Sequence, residues 1–244
     1  MATSTQLNTT LSAHDSHVLN ALFDPELSLT SPTPTIDTCS HSAPSSIEDE
    51  DPVLQSTEAD AIRPLNEPNP SRSDIVLAIQ TLGELIEKQP SYASAYTNRA
   101  QARRLLVGSQ LFTASGASTM ESILSDLSKA ITLTTPSSPS TPLSHRQAKL
   151  LSTAHTHRAY LLYTTSQSGN LDALPESLRK LGTERVEEMA SRDFFLGGSY
   201  GDKIARQMSV HTNPYAKLCG AIVTEALKKA VSYTHLTLPT ILRV

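Results

Sequence analysis

The sequence has no tryptophan, only 4 phenylalanines and 7 tyrosines, and just two cysteines, Cys39 and Cys219, in 244 residues. With an apolar fraction of 38%, there is too little large apolar surface for a core running the whole length, and about 130 to 150 residues are expected to fold. The two cysteines stand in unlike surroundings, so no disulfide is expected, and a reducing, cytoplasmic setting is, with a nuclear one left open. No lysine or arginine precedes Arg63. That removes the positive start of a secretory signal and the Arg-rich composition of a mitochondrial presequence. No apolar run approaches the roughly 18 residues of a membrane span. A Gly-rich phosphate loop, a nucleophile elbow and a paired-carboxylate motif are equally absent, so the chain is read as a non-enzyme without a cofactor. Two histidine pairs, His14 with His17 and His155 with His157, lack Cys or carboxylate partners at zinc-site spacing, and no metal is expected.

What is present divides the chain. Ten acidic residues precede Arg63, and all 20 bases follow from there. The body is therefore only mildly basic, its charge dispersed, and nucleic acid is not an expected partner. Residues 1–52 read as a disordered, acidic, Ser/Thr/Pro-rich arm. Within it Val18, Leu19, Leu22 and Phe23 fall on one face, giving a short helix at 14–24 that Pro25 stops.

From 53 onward the apolar period is helical. A weak pattern over 55–66 (Ala59, Ile62, Leu65) is damaged by Pro64. Ser73 or Asp74 caps a strong helix with Ile75, Ala78, Ile79, Leu82, Leu85 and Ile86 on its apolar side, ended by Pro90. An Ala-rich helix follows from about Tyr92 to Leu106, closed by Gly108. After a small, polar loop over 109–119 comes a stripe of Ile123, Leu127, Ala130 and Ile131. Ser144 caps a long helix to about Ser166, and Thr183 with Glu187 suggests a cap for a helix that runs to Gly197-Gly198. Asp202 caps a short helix, and Asn213-Pro214 opens a closing one whose buried face is read as Leu218, Ile222, Val223, Ala226 and Ala230. No stretch alternates with period two, so the body is all-α.

The helices pair. Ala78, Leu82, Leu85 and Pro90 have the spacing of the second helix of a tetratricopeptide repeat, and Tyr96, Asn98 and Ala100 that of the next first helix. Ile123, Leu127, Ala130 and Pro136 continue the series. The second unit exceeds the usual period of about 34 residues, and the excess falls in the loop after Gly108. A third unit joins the helix of Ala159 to that of Ala190. The expected fold is a short tetratricopeptide-repeat superhelix over 53–230: three helix pairs and a C-terminal capping helix from Asn213. Residues 231–244 break with everything before them and resemble the translation of sequencing-adapter DNA. They are read as a gene-model artefact, with the natural chain diverging near Ala230.

Four motifs carry a narrower resemblance. Ala95-Tyr-x-Asn-Arg-Ala-Gln-Ala-Arg-Arg-Leu105, Asp126-Leu-Ser-Lys-Ala-Ile131, Arg192-Asp-Phe194 and Asn213-Pro-Tyr-Ala-Lys-Leu-Cys219 resemble the tetratricopeptide repeat protein 36 family. Val18-Leu-Asn-Ala-Leu-Phe-Asp-Pro25 is similar to that family's N-terminal segment. The resemblance implies a small three-repeat protein and association with an Hsp70-type chaperone. It assigns packing roles to Tyr96, Ala100, Asn213, Pro214, Tyr215 and Cys219. The extra Ser/Thr/Pro loops at 109–119 and 135–143, and Pro64, depart from it.

The functional expectation is a non-catalytic, monomeric protein-binding scaffold. Partner-binding candidates are Asn98, Arg99, Gln101, Arg104 and Arg158. A clamp on a peptide carboxylate needs such donors converging, and only Asn98 sits where a second-repeat clamp residue belongs. In the third repeat Thr153 and His157 take the corresponding places, beside Arg158. The basic stripe of Arg99, Arg103 and Arg104 suggests a groove that the chain's own Glu48-Asp49-Glu50-Asp51 could mask. The alternative is a partner that stabilises a metabolic enzyme through a broad surface, without tail recognition.

Overall fold

The computed structural model describes residues 52–138 and 141–236. The short helix expected at 14–24 and the acidic run at 48–51 lie outside the described residues. Helices α1 (Pro52–Ile62), α2 (Arg72–Lys88), α3 (Ala93–Val107), α4 (Ala117–Thr134), α5 (His145–Ser168), α6 (Glu176–Arg179), α7 (Thr183–Ser199), α8 (Lys203–Thr212) and α9 (Pro214–Leu236) follow one another, with 3-10 turns between them. No strand occurs among the described residues. The expected tetratricopeptide arrangement is present as three packed pairs, α1 with α2, α3 with α4, and α5 with α7.

Local chemistry sets most of the boundaries. Ser71, not Ser73 or Asp74, caps α2: its Oγ accepts the Asp74 amide at 3.1 Å. Gln89 and Pro90 end that helix, and the Tyr96 hydroxyl donates back to the Pro90 carbonyl at 3.1 Å, fixing the turn into α3. Ser144 and Gln147 form the reciprocal capping box of α5. Thr183 caps nothing; Gly182, at φ 81°, precedes α7, and Thr183 is already its first helical residue. Asp202 caps α8, its Oδ1 accepting the amides of Ile204 (2.8 Å) and Ala205 (3.1 Å).

Three apolar clusters run along the stack. Leu82, Leu85, Tyr92 and Ala95 join the first pair to α3, with Leu54 and Ile62 of α1 packed against them. The largest cluster joins α3, α4, α5 and α7 through Ala100, Met120, Ile123, Leu127, Ala154, Leu161 and Ala190. A third, of Ala159, Phe194 and Ala205, seats α8. The loop expected over 109–119 is shorter and more regular than its composition suggests: Gly108–Phe112 and Ala114–Gly116 form 3-10 turns and α4 already begins at Ala117. These turns bury Leu111 completely, and a Cβ on Gly116 would lie 2.5 Å from the Gln110 carbonyl oxygen.

Two expectations change at the C-terminal end. Gly197 and Gly198 do not stop α7; they lie within it, where they admit α8. A Cβ on Gly198 would lie 2.8 Å from the Arg206 Cα, and one on Gly197 2.6 Å from the Thr156 hydroxyl. The end of the stack is thus covered by α8. The closing helix α9 leaves Ile222, Val223, Ala226, Leu227 and Ala230 exposed. Its apolar period is real, but no element packs onto that face among the described residues. Helix α9 runs on through Leu236, and residues 237–244 lie outside the described residues.

Candidate functional site

The first helices of the pairs carry the candidate residues, and a short recurrence explains where they fall. Ala95-Tyr-Thr-Asn-Arg-Ala100 on α3 and Ala154-His-Thr-His-Arg-Ala159 on α5 share Ala, Thr, Arg and Ala in register. Each small residue lets the neighbouring helix approach, and each arginine reaches an aspartate on the second helix of its own pair. Asp126 on α4 and Asp193 on α7 likewise occupy matching places, each followed by a buried apolar residue, Leu127 or Phe194.

In the second pair Arg99 grips Asp126 with two bonds, Nε to Oδ2 at 3.0 Å and Nη2 to Oδ1 at 2.6 Å. Arg103 adds a third, Nη1 to Oδ2 at 2.7 Å. In the third pair Arg158 grips Asp193 in the same forked way, at 2.7 Å on each oxygen. Here the additional partner is His155, whose Nδ1 stands 2.9 Å from Asp193 Oδ1 and whose ring stacks on Tyr200. Both carboxylates are buried. Burial pulls the Asp193 carboxyl upward, but the hydrogen bonds from Arg158 and His155 outweigh it and leave it below the usual carboxylate range. Burial likewise pushes the Arg103 guanidinium down, and Arg99 beside it acts the same way, against the pull of Asp126.

Asn98 is engaged as well. Its Nδ2 donates to Glu58 Oε1 at 2.6 Å, and the Tyr92 hydroxyl donates to the other oxygen of the same carboxylate. Glu58 is the one buried residue of α1. The weak periodicity of 55–66 gave it no prominence, and Ala59, which that pattern favoured, is exposed.

The candidates therefore separate. Asn98, Arg99 and Arg158 are bound to carboxylates of the chain itself, each in a different place, and they do not converge on a common point for a ligand. Gln101 is half-buried. Arg104 is exposed, its guanidinium 4.9 Å from the Tyr160 ring centroid, and has no carboxylate partner among the described residues. Tyr96 and Ala100 are buried in the stack. Asn213 is half-buried at the start of α9, where Pro214 is the first helical residue; the side chains of Pro214 and Tyr215 are not among those described. Cys219 is exposed and free rather than packed.

His157, read from the sequence only as a clamp position and as one of a histidine pair, has a different standing in the structure. It is 6% exposed, and neither ring nitrogen has a hydrogen-bond partner. Burial, reinforced by the charge of Arg104, lowers its pKa to about 4, so the ring is neutral at pH 7. Its place in the recurrence, opposite Asn98, was the available signal. No helix among the described residues is long and apolar enough to cross a membrane.

Comparison with known proteins finds relatives along nearly the whole sequence. L-tyrosine degradation gene cluster protein hmgX of Aspergillus fumigatus is 42% identical over 240 residues, spanning 91% of this chain and 93% of its own. Tetratricopeptide repeat protein 36 of Danio rerio is 27% identical over 221 residues, 89% of this chain and 94% of its own. Its homolog in Drosophila melanogaster is 30% identical over 222 residues, 91% of this chain and 96% of its own. No protein-family model and no solved structure matches the chain.

Proposed function

From the premise that the chain belongs to the tetratricopeptide repeat protein 36 family, we propose that it is a non-catalytic scaffold that binds and stabilises an enzyme of L-tyrosine degradation through a broad face. The pathway comes from the printed name of the 42%-identical relative. The mode of binding comes from one observation: Asn98, Arg99 and Arg158 are already bonded to Glu58, Asp126 and Asp193. A chaperone tail would have to displace a buried, charge-assisted bond at every one of those donors, at a cost comparable to what it gained. Helical repeats ordinarily bind through extended surfaces, where area and a few anchors carry the affinity.

The test is reconstitution. The full chain is mixed with each enzyme of L-tyrosine degradation from its own organism, and complex formation is followed by size-exclusion chromatography. One enzyme is expected to co-elute and to lose activity more slowly on heating when the chain is present. If none co-elutes, while a peptide from the acidic tail of an Hsp70-type chaperone binds saturably, the chaperone-adaptor reading replaces this one.

A further inference from the structure

The two junctions between successive first helices are built alike but charged differently. At the first, α1 supplies the Glu58 carboxylate to Asn98 of α3. At the second, the residue of α5 in register with Asn98 is His157, and the charge that α3 brings to it is a cation, Arg104. Every other arginine described above on these helices, Arg99, Arg103 and Arg158, is paired with a buried aspartate. Arg104 is paired with none among the described residues.

Its guanidinium is nevertheless held in place. It lies over the Tyr160 ring, which is itself fixed by the edge of Phe112 at 6.4 Å and 77°. A stacked guanidinium keeps its in-plane donors free for a planar acceptor and loses little freedom on binding one. Tyr160 is 41% exposed, which leaves the stack open to a ligand. One turn away on α5, His157 offers two buried ring nitrogens with no partner, a shortfall that native interiors ordinarily satisfy.

We infer that Arg104, Tyr160 and His157 form a docking site for one acidic side chain of the protein partner, supplying at the second junction the carboxylate that Glu58 supplies at the first. The site rests on the protein-binding reading above and gives it a chemical anchor. A carboxylate seated on Arg104 cancels the charge that acts on His157, so the histidine ring reports occupancy.

The probe is acetyl-Gly-Glu-Gly-amide, titrated into the full chain while the His157 ring signals, assigned by their loss in His157→Asn, are followed by NMR. A saturable shift is expected, absent with acetyl-Gly-Gln-Gly-amide at the same ionic strength. Affinity should fall about tenfold or more in Arg104→Gln and less in Arg104→Lys, which keeps the charge but loses the fork. Acetyl-Gly-Gln-Gly with a free C-terminal carboxylate distinguishes the source of the acid: binding equal to that of the Glu peptide would overturn the side-chain assignment. No saturable shift, or equal affinity in Arg104→Gln, would overturn the site itself. Arg104 lies on the surface, so the fold of its variants is checked by an unchanged unfolding midpoint. Reconstitution with the pathway enzymes reads separately. Enzyme capture without peptide binding sinks this site and leaves the scaffold reading, and peptide binding without enzyme capture does the reverse.

Discussion

The second and third helix pairs close on themselves with the same fork, an arginine on the first helix and a buried aspartate on the second, yet they fill the aspartate's remaining capacity differently. Asp126 takes a second arginine, Arg103; Asp193 takes a histidine, His155. The difference decides what happens when the carboxylate is lost. Losing Asp126 leaves two fixed guanidinium charges without their shared carboxylate, whereas losing Asp193 leaves one. Arg158 also keeps a bond to the Ser128 hydroxyl at 3.2 Å. Asp126→Ala is therefore expected to cost about 4 kcal/mol and Asp193→Ala about 3 kcal/mol, within the range for orphaning a buried ion-pair partner. Urea unfolding at pH 7 measures both. Equal losses, or a larger one for Asp193→Ala, would show that the extra cation does not set the difference.

The next contrast is between Asn98 and His157, which share a place in the recurrence. Asn98 has no proton to gain. His157 has a pKa lowered to about 4 in the folded chain, against about 6.5 for a solvated histidine. The folded state thus binds this proton less readily than the unfolded one. Stability is full above about pH 6.5 and is lost as pH falls through the folded value, by about 3 kcal/mol in total. The depressed Asp193 carboxyl acts in the same direction but only at lower pH, below the unfolded carboxylate range. His157→Asn, which gives the third pair the second pair's residue, should flatten the unfolding midpoint between pH 6.5 and 4.5. An unchanged slope in that variant would assign the acid sensitivity elsewhere.

How far these features could be read in advance depended on their range along the chain. Caps were legible at Ser144 and Asp202, each the one capping side chain just before its helix, but not at Ser71, where Ser73 and Asp74 compete within three residues, nor at Thr183, which is already helical. The core stripes of Ala78, Leu82 and Leu85, and of Ile123, Leu127 and Ala130, were legible from their period. Asn98, Arg99 and Arg158 stood out as candidates, but their partners did not. The bonds to Glu58, Asp126 and Asp193 span 27 to 40 residues, and an acid inside an apolar stripe looks like an interruption until the facing helix supplies its cation. The apolar face of α9 was also visible, but periodicity shows that a face exists and not what lies against it.

Glycine within a helix is ambiguous for the same reason, and it separates the two pairs by the smallest margin. Ala130 on α4 stands where Gly197 stands on α7, and Ile131 where Gly198 does. The second pair thus keeps side chains at the positions where the third strips them away so that α8 can approach. Gly198→Ala gains about 1 kcal/mol of helix propensity but sets a methyl against backbone, 2.8 Å from the Arg206 Cα and 2.9 Å from its nitrogen. Since α8 must move for it to fit, the overpacking cost of about 1 to 3 kcal/mol should dominate, leaving a net loss of about 1 kcal/mol. Ala130→Gly is expected to cost a similar amount for the opposite reason, lost propensity with no clash relieved. Hydrogen exchange distinguishes the two where the unfolding midpoint does not: Gly198→Ala should speed exchange in α8 before the rest of the stack, and Ala130→Gly should leave α8 as protected as in the parent chain. Unchanged protection of α8 in Gly198→Ala would mean that the glycine pair merely permits the close approach of α8 without being required for it.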